Sequence, residues 1–261
     1  MKITYKNPGI EHSIDSILLF QTDDTKPFWS DSLLYFYPQI DKAELCNKTY
    51  NQKREYLLEI LTDTYHKVEP EIENKVVLYN ERWDKYYNQI EDAFSEAFEI
   101  DTRAIFNDII ANLTLNPVCP RFLKEHSFDI FYMNSDKGAI GMSLHEMIHF
   151  VWFHVWNKTF HDSYDEYETP HLKWILSEMV VESVMRDERL SSINPYFPRE
   201  NGGCVYPYFQ NMVVKDKYIL DTLEEIYQKN RMTDFMKKSY EYCQENEDAI
   251  RRHIAKAEEK F

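Results

Sequence analysis

Residues 141–153 read GMSLHEMIHFVWF and place two histidines, His145 and His149, four positions apart, with Glu146 directly after the first. Residues four apart lie on the same face of an α-helix, so both imidazoles can direct a ring nitrogen to one point. Glu146 would lie about 100° around that helix, near this point without being a ligand. The stretch therefore predicts a metal site, and the bulky apolar residues around it predict a buried helix.

The same stretch allows two interpretations without a metal. Ser143 and Glu146 have the spacing of a capping box, in which the glutamate bonds the backbone of the serine and does no chemistry. Alternatively, the two histidines are hydrogen-bonded residues of a core. The hydrophobic pattern itself predicts a helix from about Ala139 to Trp156, after the turn NSDKGAIG.

A metal held by two histidines needs a third protein ligand, and an open position if it is to be catalytic. The compact extension H-E-x-x-H-x-x-G-x-x-H is not present, because Trp152 and Val155 occupy the glycine and histidine positions. His154 is one residue short of the required place and points to another face of the helix, so a structural role is predicted for it.

A second predicted helix, from about Pro170 to Leu190, offers a glutamate as the third ligand. Glu178 would bind the metal, and Glu182, one turn later, would hydrogen-bond the far ring nitrogen of a ligand histidine. The alternative is that both glutamates are solvated charges. Their apolar neighbours favour the first interpretation, since a carboxylate embedded among such residues needs a partner.

Composition limits the class of protein. The chain has 261 residues, 43% of them hydrophobic and 29% charged, which is typical of a soluble globular protein with room for a core and a cleft. Its 45 acidic and 30 basic residues give a net charge of −15, which repels a phosphate backbone and predicts no nucleic-acid partner.

The location is predicted from the same features. There is no long uninterrupted apolar run, so no membrane span and no membrane partner are expected, and the N-terminal sequence is unlike a signal peptide. The cysteines are far apart and form no C-x-x-C pair, which predicts reduced thiols. A cytoplasmic protein is therefore expected.

The chain divides into three regions by its pattern. Residues 1–110 are predicted to be a mainly helical N-terminal region, 111–210 the core, and 211–261 C-terminal helices, all three forming either separate regions or one compact unit. About three helices are expected between Asp41 and Asn112, with breaks near Pro70 and Asp101. Strands are expected at 111–115 and 128–133, and two C-terminal helices separated near 231–234.

HEMIH, followed by a helix that carries SEMVVES, resembles the gluzincin group of zinc metallopeptidases over residues 128–188. The resemblance implies an α+β, mainly helical fold with a zincin-like core, in which a small β-sheet lies beside the active-site helix, flanked by N- and C-terminal helices. It implies that His145, His149 and Glu178 bind one Zn²⁺ and that Glu146 is the general base and later the proton donor.

The resemblance also implies an edge strand before the active-site helix that pairs with an extended substrate, and FDIFYM, residues 128–133, has that position. Ser177 and Glu182 stand where the well-known secreted members have asparagine and aspartate. Both residues keep the capacity to hydrogen-bond, so the resemblance is to an outlying member of the group.

A zinc-dependent peptidase acting on a peptide or protein substrate is the function that these features predict. Tyr164, Tyr167 and His171 lie between the two ligand helices and are candidate catalytic residues that would stabilise the oxyanion. The loop HDSYDEYETPH, residues 161–171, holds four acids and neither lysine nor arginine, which predicts a preference for basic peptides.

Two other functions remain open at this point. A regulatory or sensor protein would bind zinc on the same scaffold without cleaving a peptide, and the ligand pattern does not separate it from a peptidase. A helical interaction protein without a metal would use the acidic N-terminal half.

Overall fold

The structure is a computed structural model that describes residues 1–106 and 108–259. It confirms an α+β chain that is mainly helical. The α-helices are α1 Ile10–Leu18, α2 Pro27–Ser30, α3 Ser32–Phe36, α4 Lys42–Cys46, α5 Tyr50–Phe98, α6 Asp136–Phe160, α7 Leu172–Met185, α8 Glu188–Ser191, α9 Pro207–Gln210, α10 Ile219–Lys229, α11 Met232–Glu245 and α12 Glu247–Glu258. The strands are β1 Ile3–Lys6, β2 Ile109–Thr114, β3 Arg121–Phe122, β4 Ser127–Phe131, β5 Val213–Val214 and β6 Lys217–Tyr218.

The described residues form two compact units drawn from interleaved segments. The sheet unit consists of 2–85 and 108–139, and the helical unit consists of Met1, 86–106 and 140–259. The sequence pattern had instead suggested three consecutive regions. The interleaving arises because a short N-terminal strand joins strands that lie far along the chain.

The sheet unit contains a four-stranded mixed sheet in the order β1-β2-β4-β3. The pairs β1 with β2 and β2 with β4 are parallel, and β3 is antiparallel to β4. Strands β2 and β4 are the two that the sequence predicts, and their largely buried residues fit a parallel pair covered on both faces. Strand β1, only four residues long, was not predicted.

The prediction that FDIFYM forms an edge strand is wrong. Strand β4 lies between β2 and β3, so it has a neighbour on both sides. Arg121 and Phe122 of β3 pair with Phe128 and Ser127, and the Asp129 amide donates to the Pro120 carbonyl. Strand β3 has two residues, Arg121 and Phe122, and so short a run cannot be recognised as a strand from sequence. This is why β3 was not predicted.

The predicted helix break near Pro70 is also wrong. Helix α5 continues through Pro70 without interruption. Proline has no N–H to donate to the carbonyl four residues earlier in a helix, which here is that of His66. Pro70 and His66 are both exposed, so this carbonyl lies on the outer face of the helix. Buried apolar residues continue on the other face on both sides of the proline, at Leu61, Tyr65, Ile72 and Tyr79.

Helix α6 carries the HEMIH stretch and begins earlier than that stretch. Its N-terminus is capped by Ser135, whose hydroxyl accepts from the Gly138 amide at 3.1 Å. Ser143 is completely buried inside the helix, so the capping-box interpretation of Ser143 and Glu146 is wrong. The apolar side chains around the two histidines are buried as predicted, at Leu144, Met147, Ile148, Phe150, Val151, Trp152 and Phe153.

Helix α7, which carries Glu178, is buried along almost its whole length. It begins at Leu172 with His171 at its N-cap, so Pro170 lies outside the helix and not in its first turn as predicted. After α7 the chain forms the short helices α8 and α9, and then three C-terminal helices among the described residues, where two were predicted. Asn246 separates the last two.

Within residues 1–106 and 108–259, no helix has the length and apolar character that crossing a membrane requires.

Candidate metal centre

Three side chains of the helical unit converge on one point. The Nε2 atoms of His145 and His149 lie 3.0 Å apart. Glu178 Oε2 lies 3.3 Å from the first, and Glu178 Oε1 lies 3.4 Å from the second. Helix α6 supplies both histidines one turn apart and α7 supplies the carboxylate, as the sequence pattern predicts.

These separations suit a tetrahedral ion. Zinc bonds of about 2.0–2.1 Å at tetrahedral angles set neighbouring ligand atoms about 3.3–3.4 Å apart. The two Nε2 atoms are 3.0 Å apart, and each lies 3.3 or 3.4 Å from a different oxygen of Glu178, so each nitrogen–oxygen pair is close to that edge length. Glu178 and His149 are 3% and 0% exposed, so the donors are held by packing and not by solvent.

The hydrogen-bonding roles of His145 explain why a cation fits. Its Nδ1 lies 2.8 Å from the carbonyl oxygen of Cys204, and because a carbonyl can only accept, Nδ1 carries the proton. In the neutral imidazole, Nε2 then presents a lone pair toward an oxygen of the Glu178 carboxylate. Two acceptors at this distance repel each other unless a proton or a metal ion lies between them.

The pKa shifts of His145 and Glu178 also favour positive charge at the cluster. Burial opposes the charged form of His145, but the hydrogen bond to Glu178 and the charge of Glu146 outweigh it and raise the pKa of His145. Burial likewise opposes ionisation of Glu178, but the charge of His149 and hydrogen bonds from both histidines hold its pKa well below the usual range. The site thus favours an anionic carboxylate that is neutralised by positive charge.

Tyr167 lies at the end of a column of rings and not at the metal-facing atoms. The His149 ring stacks on Phe153, with centroids 6.5 Å apart, and Phe153 stacks on Tyr167 at 4.4 Å. Tyr167 is fully buried, and its hydroxyl is 3.4 Å from the side-chain amide of Asn157. These stacked rings support the His149 ring by packing.

Among the described residues, no hydrogen bond or ion pair joins Tyr164 or His171 to the cluster of His145, His149 and Glu178. Tyr164 is 37% exposed, and its ring contacts Tyr167. His171 is exposed and serves as the N-cap residue of α7.

Glu182 has partners other than those predicted. Its carboxylate, 3% exposed, binds Arg199 through both Nε and Nη2, and also accepts from Arg186 Nη2 at 3.0 Å. The far nitrogen of His145 is held by the backbone of Cys204 instead. The sequence did not identify this carbonyl, because a backbone group has no side-chain signature. The visible signal was the pair Gly202 and Gly203 just before it.

Glu146 is 5% exposed and lies next to the ligand His145 on α6. Its charge is one of the influences that raise the pKa of His145. The carboxylate is therefore within electrostatic range of the cluster while the ligand atoms come from other residues.

Tyr208, on α9, follows the two ligand helices together with Tyr206, and the sequence favours a structural role for each of these tyrosines. Burial and then the charge of Glu178 raise the pKa of Tyr208, so its phenol stays protonated at neutral pH. Its ring is stacked against Tyr206, with centroids 5.3 Å apart and planes inclined by 2°. A buried hydroxyl donor thus lies within electrostatic range of the carboxylate ligand.

The acidic loop at 161–171 is partly neutralised from inside the unit. Lys173, on α7, lies 2.5 Å from Asp162 and also binds Glu166. The Trp156 indole donates to Asp162 at 2.7 Å. Asp165 and Glu168, the other two acids of the loop, are exposed.

Comparison with protein-family models, with curated proteins and with solved structures gave no match to this chain. The interpretation of the site therefore rests on its own geometry and chemistry.

Proposed function

We propose that the protein is a zinc-dependent peptidase that holds one Zn²⁺ with His145, His149 and Glu178. The observation that carries the proposal is a buried convergence of donors: two imidazole nitrogens lie 3.0 Å apart, and one oxygen of the Glu178 carboxylate faces each of them, at 3.3 and 3.4 Å. Two imidazoles and a carboxylate are a ligand set typical of catalytic zinc, because they leave one coordination position open.

Glu146 is the general base in this proposal. When bound, Zn²⁺ supplies a Lewis acid that polarises the scissile carbonyl and lowers the pKa of a coordinated water to about 7. Glu146 takes a proton from the attacking water and delivers it to the leaving amine. Its position beside His145 on α6, next to the three side chains that would hold the metal, supports this role.

Tyr208 is the residue that we assign as hydrogen-bond donor to the carbonyl oxygen as that oxygen gains negative charge. Its raised pKa keeps the phenol protonated, as the role requires. In Tyr208→Phe, kcat is expected to fall about 10²–10³-fold with zinc retained. Tyr206→Phe is the matched control, because it removes a neighbouring hydroxyl from the same stacked pair.

Basic peptides are the proposed substrate class. The loop between the two ligand helices, residues 161–171, holds four carboxylates and neither lysine nor arginine, a composition that attracts cationic ligands at low salt. Matched basic and acidic peptides test this preference. Equal kcat/KM for the two at low ionic strength would exclude the substrate class without affecting the metal assignment.

The metal assignment and the catalytic assignment are tested separately. The purified protein is expected to contain zinc in a one-to-one ratio, and His149→Ala and Glu178→Ala are expected to lose it. His154→Ala, on the same helix but outside the cluster, is the control that should retain it. Zinc contents that are equal in all four proteins would contradict the site.

A zinc-binding sensor that cleaves nothing is the second candidate, and the 5% exposure of Glu146 favours it, because a base must reach its substrate. Glu146→Gln separates the two. A peptidase loses hydrolysis of a fluorogenic peptide library in this variant while its zinc content stays unchanged. A sensor shows no hydrolysis in either protein.

A further inference from the structure

The backbone carbonyl of Cys204 orients the ligand histidine His145. It accepts from Nδ1 at 2.8 Å, so it decides which ring nitrogen carries the proton and which one faces Glu178. The Cys204 thiol has no such part, since burial raises its pKa to about 12 and keeps it protonated at neutral pH. What matters is therefore how the main chain at Cys204 is held.

Gln210 holds the main chain on both sides of Cys204. Its side-chain amide donates to the carbonyl of Gly202 at 2.9 Å and to the carbonyl of Val205 at 3.0 Å. The Gln210 side chain thus bridges the chain just before and just after the carbonyl that binds His145. Both donor positions of one amide group are used in this bridge.

Gly203 makes the bridge possible. Its φ of +76° is a conformation that favours glycine, and a Cβ at this position would overlap the side-chain amide of Gln210. The Gly202–Gly203 pair thus has a structural reason that the sequence alone left unexplained.

Arg199 anchors the beginning of the same segment. Its Nε lies 3.1 Å from both carboxylate oxygens of Glu182, and its Nη2 lies 2.6 Å from one of them. Glu182 is buried on α7, one turn after the ligand Glu178. The segment that contacts His145 is therefore tied to the helix that supplies the third ligand.

We propose that Gln210 and Arg199 are positioning residues for the metal centre. Together they hold residues 199–210, which we call the carbonyl clamp, so that Cys204 accepts the Nδ1 proton of His145 and leaves Nε2 for the metal. The inference rests on the metal site of the proposed function, but not on peptide hydrolysis. It explains the Arg199–Glu182 pair, which the predicted role of Glu182 did not.

Two variants that each remove hydrogen-bond donors test the clamp. Gln210→Met removes both donors at similar volume, and its matched control is Asn211→Leu, because the Asn211 side chain donates to the Pro207 carbonyl in the same turn. Arg199→Met removes the anchor, and its control is Arg186→Met, which also removes a partner of Glu182 but lies outside the clamp. Both clamp variants are expected to weaken Zn²⁺ binding about 10–100-fold, measured by competition with a chromophoric chelator.

The Co²⁺-substituted protein supplies a readout that a merely structural role would not move. The visible absorption of bound Co²⁺ is expected to change in Gln210→Met and Arg199→Met and to match the wild type in both controls. Affinities within about twofold of the wild type in both clamp variants would overturn the inference. Equal losses in the controls would overturn it as well.

A wild type that binds no zinc would refute the proposed function. The role of Gln210 can still be tested in that case, because the hydrogen bond from His145 to Cys204 exists in the metal-free protein. The Nδ1–H proton of His145 is expected to give a protected imidazole resonance by NMR in the wild type and in Asn211→Leu. Its loss in Gln210→Met supports the clamp, and its persistence there refutes it.

Discussion

The ring of Phe153 stacks on the ring of Tyr167, with centroids 4.4 Å apart and planes inclined by 16°. Phe153 is also nearly parallel to the His149 ring, with centroids 6.5 Å apart. Tyr167 thus reaches the metal-facing histidine only through a second ring, and its own hydroxyl bonds Asn157. This relationship favours a supporting role for Tyr167 over the oxyanion-stabilising role that its place between the ligand helices suggested.

Tyr167→Phe is therefore expected to retain zinc and nearly all of the peptidase activity. It loses only the hydroxyl's hydrogen bond, which contributes about 1 kcal/mol to the free energy of unfolding. Tyr167→Ala removes a completely buried ring and is expected to cost about 3–5 kcal/mol, measured by urea denaturation. A fall of kcat in Tyr167→Phe comparable to that of Tyr208→Phe would contradict the supporting role.

Zinc is expected to stabilise the folded protein. The two Nε2 atoms and the Glu178 carboxylate converge only in the folded state. Zn²⁺ binding therefore adds about 2.7 kcal/mol to the free energy of unfolding when free Zn²⁺ is 100 times its Kd. The thermal midpoint should rise on adding Zn²⁺ and fall again with a chelator. Glu178→Gln should show no such shift.

Magnesium is the control for that measurement. Two of the three donors are imidazole nitrogens, whereas Mg²⁺ prefers oxygen ligands in an octahedral arrangement. Equal stabilisation by both ions would point to general binding of cations to a protein of net charge −15 and would contradict a dedicated site.

The convergence of His145, His149 and Glu178 was predictable because its signal is local. His145 and His149 are one helical turn apart, and Glu178 lies in a strongly apolar helix where a carboxylate needs a partner. The partners of Glu182 were not predictable, since Arg199 begins a one-turn 3₁₀ helix, Arg199–Asn201, whose position depends on tertiary packing. The carbonyl of Cys204 has no side-chain chemistry from which its role could be inferred.

The elements of the fold likewise divide into those that the sequence predicts and those that it does not. Strands β2 and β4 and helices α6 and α7 were recognised from runs of apolar residues, but β1 and β3 are too short to be distinguished from loops. At Pro70 a local rule was overridden by packing, because the buried face of α5 continues past the proline. Propensity therefore predicted a break where tertiary burial keeps one helix.

Pro70→Ala is expected to raise the free energy of unfolding by about 1–3 kcal/mol. Alanine restores the N–H that can bond the His66 carbonyl and removes the clash of the proline ring with that turn. The site is exposed, so no core packing changes. Urea denaturation measures the gain.

Lys67→Ala is the control for Pro70→Ala. Lys67 is another exposed position of α5, one turn earlier, and the helix propensities of lysine and alanine differ by only a few tenths of a kcal/mol. A gain in Lys67→Ala as large as that in Pro70→Ala, or a loss in Pro70→Ala, would show that the proline is not a source of strain in this helix.

His12 and Asp129 link α1 to the inner strand β4 and predict a dependence of stability on pH. His12 Nε2 lies 2.9 Å from Oδ1 of Asp129, a fully buried carboxylate that also accepts from Asn112 at 3.1 Å. The hydrogen bond to Asp129 outweighs burial and, with the charge of Asp15, raises the pKa of His12. The extra stability is therefore complete below the unfolded pKa of about 6.5 and is lost as pH rises through the higher folded value.

His12→Gln tests the sign, because glutamine can still donate to Asp129 but does not titrate. The wild type should exceed this variant in free energy of unfolding by more at about pH 5.5 than at about pH 8.5. The change is expected to be about 1 kcal/mol or less, since His12 is 36% exposed and solvent screens the pair. His66→Gln, at a 63% exposed ring on α5, controls for loss of a histidine. A difference that grows with pH would contradict the assignment, because it would mean that the folded state prefers neutral His12.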